Sequence, residues 1–345
     1  YSPSIWAGWY AGRYIDYEKA LLAQRARVRH LLHIEWGADS QPGRHAEDPY
    51  KNLGGIGEGD TAERGLAYLP EGGTPRVSRD GDWSETYACD LFDWHLKVQQ
   101  SLPWLTGAAQ WVFKDFTTPL RIDNPIPRVN QKGVVGRDLT LKESYFVFQS
   151  YWSPLAMAHI YGHTWPVRWG KPGELRIVKV YSNCATAELF LNGRSVGVRH
   201  RDIQDFPAAG LRWEIPFVAG ENHLRVVAVA STGTSITDEI SLRYETEPWG
   251  LPAKLAIKPV ARSQDSVTLE ATLLDAAGRL CLDARNRVRF SVSGAGRMLD
   301  NLGTVGGSRV VELCNGRVGI TIAQTGAAST VAVASDGMAQ ASCTI

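Results

Sequence analysis

The stretch "LLHIEWGADS", residues 31–40, is the most telling in the chain. Leu31, Leu32, Ile34 and Trp36 make a near-continuous apolar run, the pattern of a strand covered on both faces, as in a parallel sheet. One carboxylate, Glu35, stands inside that run, and Gly37-Ala38-Asp39-Ser40 then breaks it as a turn. In (β/α)8 barrels the carboxyl ends of the strands carry the chemistry. A carboxylate placed there serves as nucleophile, general base or metal ligand. Paired with a buried arginine, it would serve structure alone.

Outward from this stretch, residues 1–152 alternate strand and helix signals. The run 16–29, "DYEKALLAQRARVR", has strong helix formers with apolar residues at helical spacing. Residues 30–36 read as a strand. Residues 83–102 read as a second helix, with Ser84 as its N-cap and Tyr87, Leu91, Trp94 and Val98 on one stripe. "GAAQWVFKDF", 107–116, reads as another buried strand. This is the βαβ rhythm of a parallel sheet. Between Asp39 and Asp82 lies a long polar, Gly-rich stretch that includes "GGIGEGD", 54–60. A loop of that length in a compact domain is functional or disordered. It is no phosphate loop, because no strand precedes it and no Gly-Lys-Ser/Thr ends it.

After residue 152 the rhythm changes to short alternating strands: "LRIVKVYS", "AELFLNG", "LRWEIPF", "HLRVVAVAS" and "EISLRYE". Turn residues such as Asn192-Gly193 separate them, and the pattern predicts an immunoglobulin-like β-sandwich over 153–247. "TEPWGLPAK", 246–254, reads as a linker. A second such sandwich is expected over 254–345, from "KLAIKPV", "SVTLEATLLD", "RVRFSVSG", "GRVGITIA" and "STVAVASDG".

The 345 residues leave room for two or three domains, and the 37 basic and 36 acidic side chains give a net charge of +1. No field of one sign argues for a nucleic acid or a membrane surface. No apolar run approaches the roughly 20 residues of a spanning helix. No signal peptide is visible, and the chain begins at Tyr1 rather than Met, so a natural N-terminus upstream is expected. The five cysteines lack metal-ligand spacing. Cys281 and Cys314 are the pair able to bridge within one domain, but buried thiols are the leading expectation. No cofactor and no metal site is expected. The cysteines leave the compartment open, with a periplasmic or secreted location favoured over the cytoplasm. Nine of the twelve tryptophans precede residue 166, where flat aromatic faces either fill a core or stack on sugars.

Glu35-Trp36-Gly37-Ala38 resembles the nucleophile motif of glycoside hydrolase family 2, the β-galactosidases, β-glucuronidases and β-mannosidases. Gly107, Trp111, Phe113, Asp115 and Phe116 resemble that family's eighth barrel strand, and Asn130-Gln131-Lys132-Gly133 its following Asn-x-Lys-Gly segment. Gly8-Trp9-Tyr10 matches a strand-end motif before the nucleophile, and "VYSNCATAELFLNGRSVG", 180–197, resembles the accessory β-domains. The resemblance implies a multidomain fold: the C-terminal part of a (β/α)8 TIM barrel over 1–152, followed by the two sandwiches. It implies a retaining mechanism with two carboxylates about 5–5.5 Å apart, Glu35 being the nucleophile.

By the same resemblance, Trp111 forms the platform under the sugar. Asn130 and Lys132 bond sugar hydroxyls or a uronate carboxylate, a charge-assisted contact. Trp36, Tyr10, Trp6 and His33 complete the expected substrate-binding set. Trp6 falls where relatives often carry a tyrosine, and His33 points either to the site or to the core. Asp115 is expected to be structural, holding an arginine or a backbone N–H. His163 and Trp165 are expected to pack against the barrel, and the 40–82 loop to wall the aglycone side.

The family's acid/base, a Glu after Asn on an earlier strand, is not among the 34 residues before Glu35. The expectation is therefore a retaining exo-β-glycosidase, first of all β-galactosidase-like, whose missing N-terminal part supplies that group. A β-glucuronidase-like uronidase and a non-catalytic carbohydrate-binding fragment are the alternatives. Expected partners are an oligosaccharide or glycoside and the rest of the same enzyme, with a homo-oligomer left open.

Overall fold

A computed structural model describes residues 2–51, 53, 76–299, 309–324 and 326–345. The chain is multidomain and mostly β. It divides into two compact units, Tyr1–Asp115 with Lys132–Thr246, and Phe116–Gln131 with Glu247–Ile345.

In the first unit a 3-10 turn leads into α1 (Tyr17–Arg25), then β1 (Leu31–His33), the single-turn α2 (Val77–Asp80), α3 (Glu85–Ser101) and β2 (Leu105–Ala108). Strands β1 and β2 pair in parallel across α3, as the βαβ reading expects. Ser84 caps α3, its Oγ accepting the Tyr87 N–H at 3.2 Å, a contact whose loss costs about 1 kcal/mol. Helix α3 buries Tyr87, Leu91, Phe92, Leu96 and Val98. The first helix stops at Arg25, short of the expected residue 29; Arg25 and Arg29, one turn apart, would repel in a continued helix.

Two further readings need correction. The strand read over 30–36 is only Leu31–His33, with Glu35 added by a single parallel bridge to Ser4. The buried strand read over 107–116 is not one. Strand β2 ends at Ala108, and beyond it Trp111 and Phe113 are 44% and 59% exposed. Beyond Ala108 the N–H groups of Ala109 and Trp111 still bond the His33 and Trp36 carbonyls, at 2.9 and 3.0 Å, but Gln110 Nε2 and the Val112 N–H turn to the Lys132 carbonyl, at 2.8 and 3.2 Å.

Next in the chain come β3 (Phe116–Thr117) and β4 (Val129–Asn130), which pair with each other in the second unit. The first unit resumes with α4 (Glu143–Trp152), β5 (Ala158–Ile160), β6 (Val167–Trp169), β7 (Leu175–Ser182), β8 (Thr186–Leu191), β9 (Arg194–His200), β10 (Arg212–Pro216), β11 (Gly220–Val229) and β12 (Ser235–Glu245). They form a three-stranded sheet, β10-β7-β5, and a five-stranded sheet, β6-β12-β11-β8-β9. Both sheets feed one apolar cluster, Val178, Val180, Trp213 and Ile215 from the first and Leu189, Leu224, Val226 and Leu242 from the second. The β8–β9 hairpin turns on Asn192-Gly193, both at positive φ, the conformation that a two-residue type I′ turn requires. Residues on both sides of position 152 belong to this one unit. Buried polar contacts join them: Arg168 with Glu47, Lys179 with Asp90, and Tyr161 Oη with His45 Nδ1 and Thr86 Oγ1.

The second unit continues with β13 (Pro252–Arg262), β14 (Ser266–Asp275), β15 (Arg287–Gly294), β16 (Arg297–Met298), β17 (Arg309–Glu312), β18 (Arg317–Ala323), β19 (Ser329–Ser335) and β20 (Ala341–Thr344). Two four-stranded sheets, β13-β14-β18-β16 and β17-β15-β19-β20, share one apolar cluster. Along β14 every second residue is buried, Val267, Leu269, Ala271 and Leu273 among them, the period of two that a half-covered sheet dictates. Segment 116–131 adds Ile126 and Val129 to this cluster, and the Pro125 carbonyl accepts the Glu312 N–H at 2.8 Å. None of the five cysteines forms a disulfide. Among the described residues no helix is long and apolar enough to cross a membrane.

Candidate active site

Glu35 is exposed at the end of β1. Its strand end is fastened to the Trp111 segment, the Trp36 carbonyl accepting the Trp111 N–H at 3.0 Å. Gly37, at φ +139°, makes the close approach possible: a Cβ there would lie 3.2 Å from the Trp111 carbonyl oxygen and 3.2 Å from the Phe92 ring. Trp111 itself is surface-exposed, and its peptide bond to Val112 is cis. Glu35 and Trp111 thus stand on two bonded segments, both open to solvent.

Two buried lysines stitch these segments together. The Lys132 ammonium pairs with Asp39, and both side chains are buried. The ammonium lies 5.1 Å from the Trp6 ring, 5.6 Å from Trp9 and 4.9 Å from Tyr10, within cation–π range. Lys142 Nζ donates to Asp115 Oδ1 at 3.0 Å and to the Ser40 carbonyl at 3.1 Å. Asp115 Oδ1 also accepts the Gly133 N–H at 2.8 Å. Burial pushes the Asp115 carboxyl above its ordinary range, against the pull of Lys142. Gly133 has no room for a side chain, since a Cβ would meet the Asp115 nitrogen at 2.3 Å. Asp115 thus holds a backbone N–H, one of the two partners the sequence suggests, and a lysine in place of the arginine.

The other expected site residues separate. Trp6 is buried, donates from Nε1 to Ser4 Oγ at 2.8 Å, and meets the half-buried Tyr10 edge-on at 5.2 Å. Two of them lie in the core. Trp36 is fully buried in the core, against Phe92 and Phe148, and not on the surface that presents Glu35. His33 also faces the core: Nδ1 lies 2.6 Å from Tyr17 Oη, and burial lowers the imidazole pKa to about 4. Lys132 is 1% exposed, so it is closed to solvent in this arrangement. Asn130 lies on β4 in the second unit, opposite Phe116. The "GGIGEGD" part of the expected loop wall lies outside the described residues.

Several polar groups escape sequence reading. Asp39 hides in a turn-like Gly-Ala-Asp-Ser. Glu85, wholly buried on α3, accepts the Gly43 N–H at 2.6 Å and the Glu143 N–H at 2.5 Å; burial, then the Glu143 charge, push its pKa up to about 7. Glu143 holds His159 Nε2 at 2.8 Å. His45 is buried, its pKa lowered to about 4 by desolvation, and stacks on Trp165 at 5.1 Å. His159, His163 and Asp238 come together as possible metal ligands; the spacing His159-x3-His163 was their signal in the sequence. A groove of about 430 Å³ runs past Gln110, Phe113, Tyr145, Phe148 and Trp152.

Comparison with known proteins places this geometry in a class. Residues 173–237 match a family model described as a domain of unknown function, DUF4982. The chain is 39% identical over 326 residues to a putative β-glucuronidase of Formosa agariphila, covering 94% of this chain and 39% of that protein. It is 27% identical over 232 residues to a β-galactosidase of Bacteroides ovatus, covering 61% of this chain and 25% of that protein. Among solved structures, a Parabacteroides merdae β-glucuronidase superposes with a TM-score of 0.94 at 48% identity, covering 100% of this chain and 43% of that one. The chain belongs to glycoside hydrolase family 2. It spans about two fifths of the length of the two β-glucuronidase relatives.

Proposed function

We propose that this chain is the nucleophile-bearing part of a retaining exo-β-glucuronidase, built as part of a (β/α)8 barrel followed by two immunoglobulin-like sandwiches. The observation that carries the reading is the similarity to a β-glucuronidase along the whole chain, at 48% identity. It favours the uronidase over the β-galactosidase expected first, whose relative matches more weakly and over less of the chain. Glu35 attacks the anomeric carbon from the mouth of the barrel and forms a glycosyl ester, which water then hydrolyses. The second carboxylate, expected outside these residues, protonates the leaving oxygen and afterwards activates the water. Trp111, exposed beside the strand end of Glu35, supports the sugar ring. Asn130 and Lys132 are assigned to the uronate by resemblance. The pairing of the buried Lys132 with Asp39 requires that the residues covering the ammonium give way to the sugar and that it then serve both carboxylates, through separate N–H donors.

The protein containing this chain should turn over nitrophenyl β-glucuronide in clear preference to nitrophenyl β-galactoside. Lys132→Ala should lower kcat/KM on the glucuronide selectively. Equal loss on both substrates would reassign Lys132 to holding Asp39, and a galactoside preference would overturn the uronidase reading.

A further inference from the structure

We propose that His159, His163 and Asp238, none of them among the residues assigned to catalysis, form a binding site for a divalent first-row transition ion such as Zn²⁺. His159 sits on β5, His163 in the turn that follows it, and Asp238 on β12, all in the first unit. One potential ligand atom from each lies within 4.8 Å of the other two. The two imidazoles are stacked, with centroids 4.5 Å apart and planes 17° apart, and Phe146 stacks on the far face of the pair's His159 at 3.5 Å.

The hydrogen bonds prepare the donors. His159 Nε2 faces Glu143 Oε2 at 2.8 Å, and His163 Nε2 faces Asp238 Oδ2 at 2.8 Å. Glu143 on His159 Nε2 fixes the proton there and leaves that ring's Nδ1 lone pair for an ion, the way outer-shell carboxylates orient metal-bound imidazoles; between His163 Nε2 and Asp238 the ion would take the place of the shared proton, which moves to His163 Nδ1. Asp238 Oδ2 also takes the Ile160 N–H at 2.6 Å, which leaves Oδ1 without a hydrogen-bond partner. Two neutral imidazoles and a carboxylate suit zinc, cobalt or nickel better than calcium or magnesium, which prefer all-oxygen shells. Ligand bonds of about 2.0–2.2 Å require the cluster to contract. His163, exposed in a turn that passes through Gly162 at φ +113°, is the member placed to move inward. The ion would tie β5 to β12, on the side where Glu143 of α4 reaches His159. Metal bonds would form to nitrogen and oxygen lone pairs, and no redox step is involved.

The test is calorimetric titration of ZnCl₂ into the chelator-treated protein, with Co²⁺ as a spectroscopic probe. One ion per chain should bind, and Co²⁺ should develop visible absorption bands. His163→Ala should weaken binding at least tenfold and abolish the bands, while His200→Ala, an exposed histidine on β9, should leave both unchanged. Asp238→Asn should weaken binding as His163→Ala does, with folding of each variant checked by its melting curve. Absence of saturable one-to-one binding, or wild-type affinity in His163→Ala, would overturn the site.

Discussion

The two compact units both close over apolar clusters but differ in what else they bury. In the first, charges are buried: Lys132 with Asp39, Lys142 with Asp115, Lys179 with Asp90, Arg168 with Glu47, and Glu143 with His159. In the second, the sheets close over an apolar cluster that includes Phe290, Val311, Ile320 and Val333, and the ion pairs Arg279–Glu247 and Arg287–Glu312 are partly exposed to solvent. Buried ion pairs add little net stability, because desolvation cancels most of their attraction. What they do is exact a high cost from any other arrangement. In the first unit two of them fasten the segments that flank Glu35 and Trp111. The second unit needs only register, which alternating strands supply.

The largest effect separating the units should come from Asp39→Ala. It leaves the Lys132 ammonium buried without its partner and should destabilise the protein by about 3–5 kcal/mol in denaturant unfolding. A loss under about 1 kcal/mol would break the contrast. Asp39→Leu with Lys132→Met should recover much of the loss, since the pair's worth lies in its being complete.

A smaller, pH-dependent effect should come from Glu85. Its folded pKa of about 7 is raised above the ordinary 4.5 by burial and then by Glu143. The folded state therefore holds a proton that the unfolded state releases, so the stability owed to this group is present below pH 4.5 and is lost as pH rises towards 7. Melting curves of wild type and Glu85→Gln across this range should diverge in slope, with the wild type losing ground as pH rises. Parallel curves would mean that Glu85 titrates normally. The smallest effect should be Glu247→Ala in the second unit. Its pairing with Arg279 is exposed, and its loss should cost about 0–1 kcal/mol.

Three strands between turn residues have the bounds that the sequence suggests, β7 (Leu175–Ser182), β14 (Ser266–Asp275) and β15 (Arg287–Gly294), and of these β14 alternates strictly. The Ser84 cap and the parallel pairing of β1 with β2 were equally plain. The continuous apolar run at 31–36 was different. Without alternation it does not say which side chains turn inward, so the burial of Trp36 and the choice of the core for His33 are visible only in the structure. Segment 116–131 joins the second unit through Ile126 and Val129, whose partners lie more than a hundred residues on, beyond the reach of local pattern. Asp39 and Lys132 are 93 residues apart, and neither position announces a partner. At the site itself, motif order pointed to Glu35 and Trp111, while the buried charges that hold their segments became visible only in three dimensions.

In the proposed reaction Glu35 forms an ester with a glucuronyl group. Incubating the protein that contains this chain with a 2-fluoro-glucuronide inactivator, then mapping the adduct by peptide mass spectrometry, tests it directly. One label is expected, on Glu35, and none in Glu35→Gln. A label on another carboxylate, or sustained glucuronide turnover by Glu35→Gln, would contradict it.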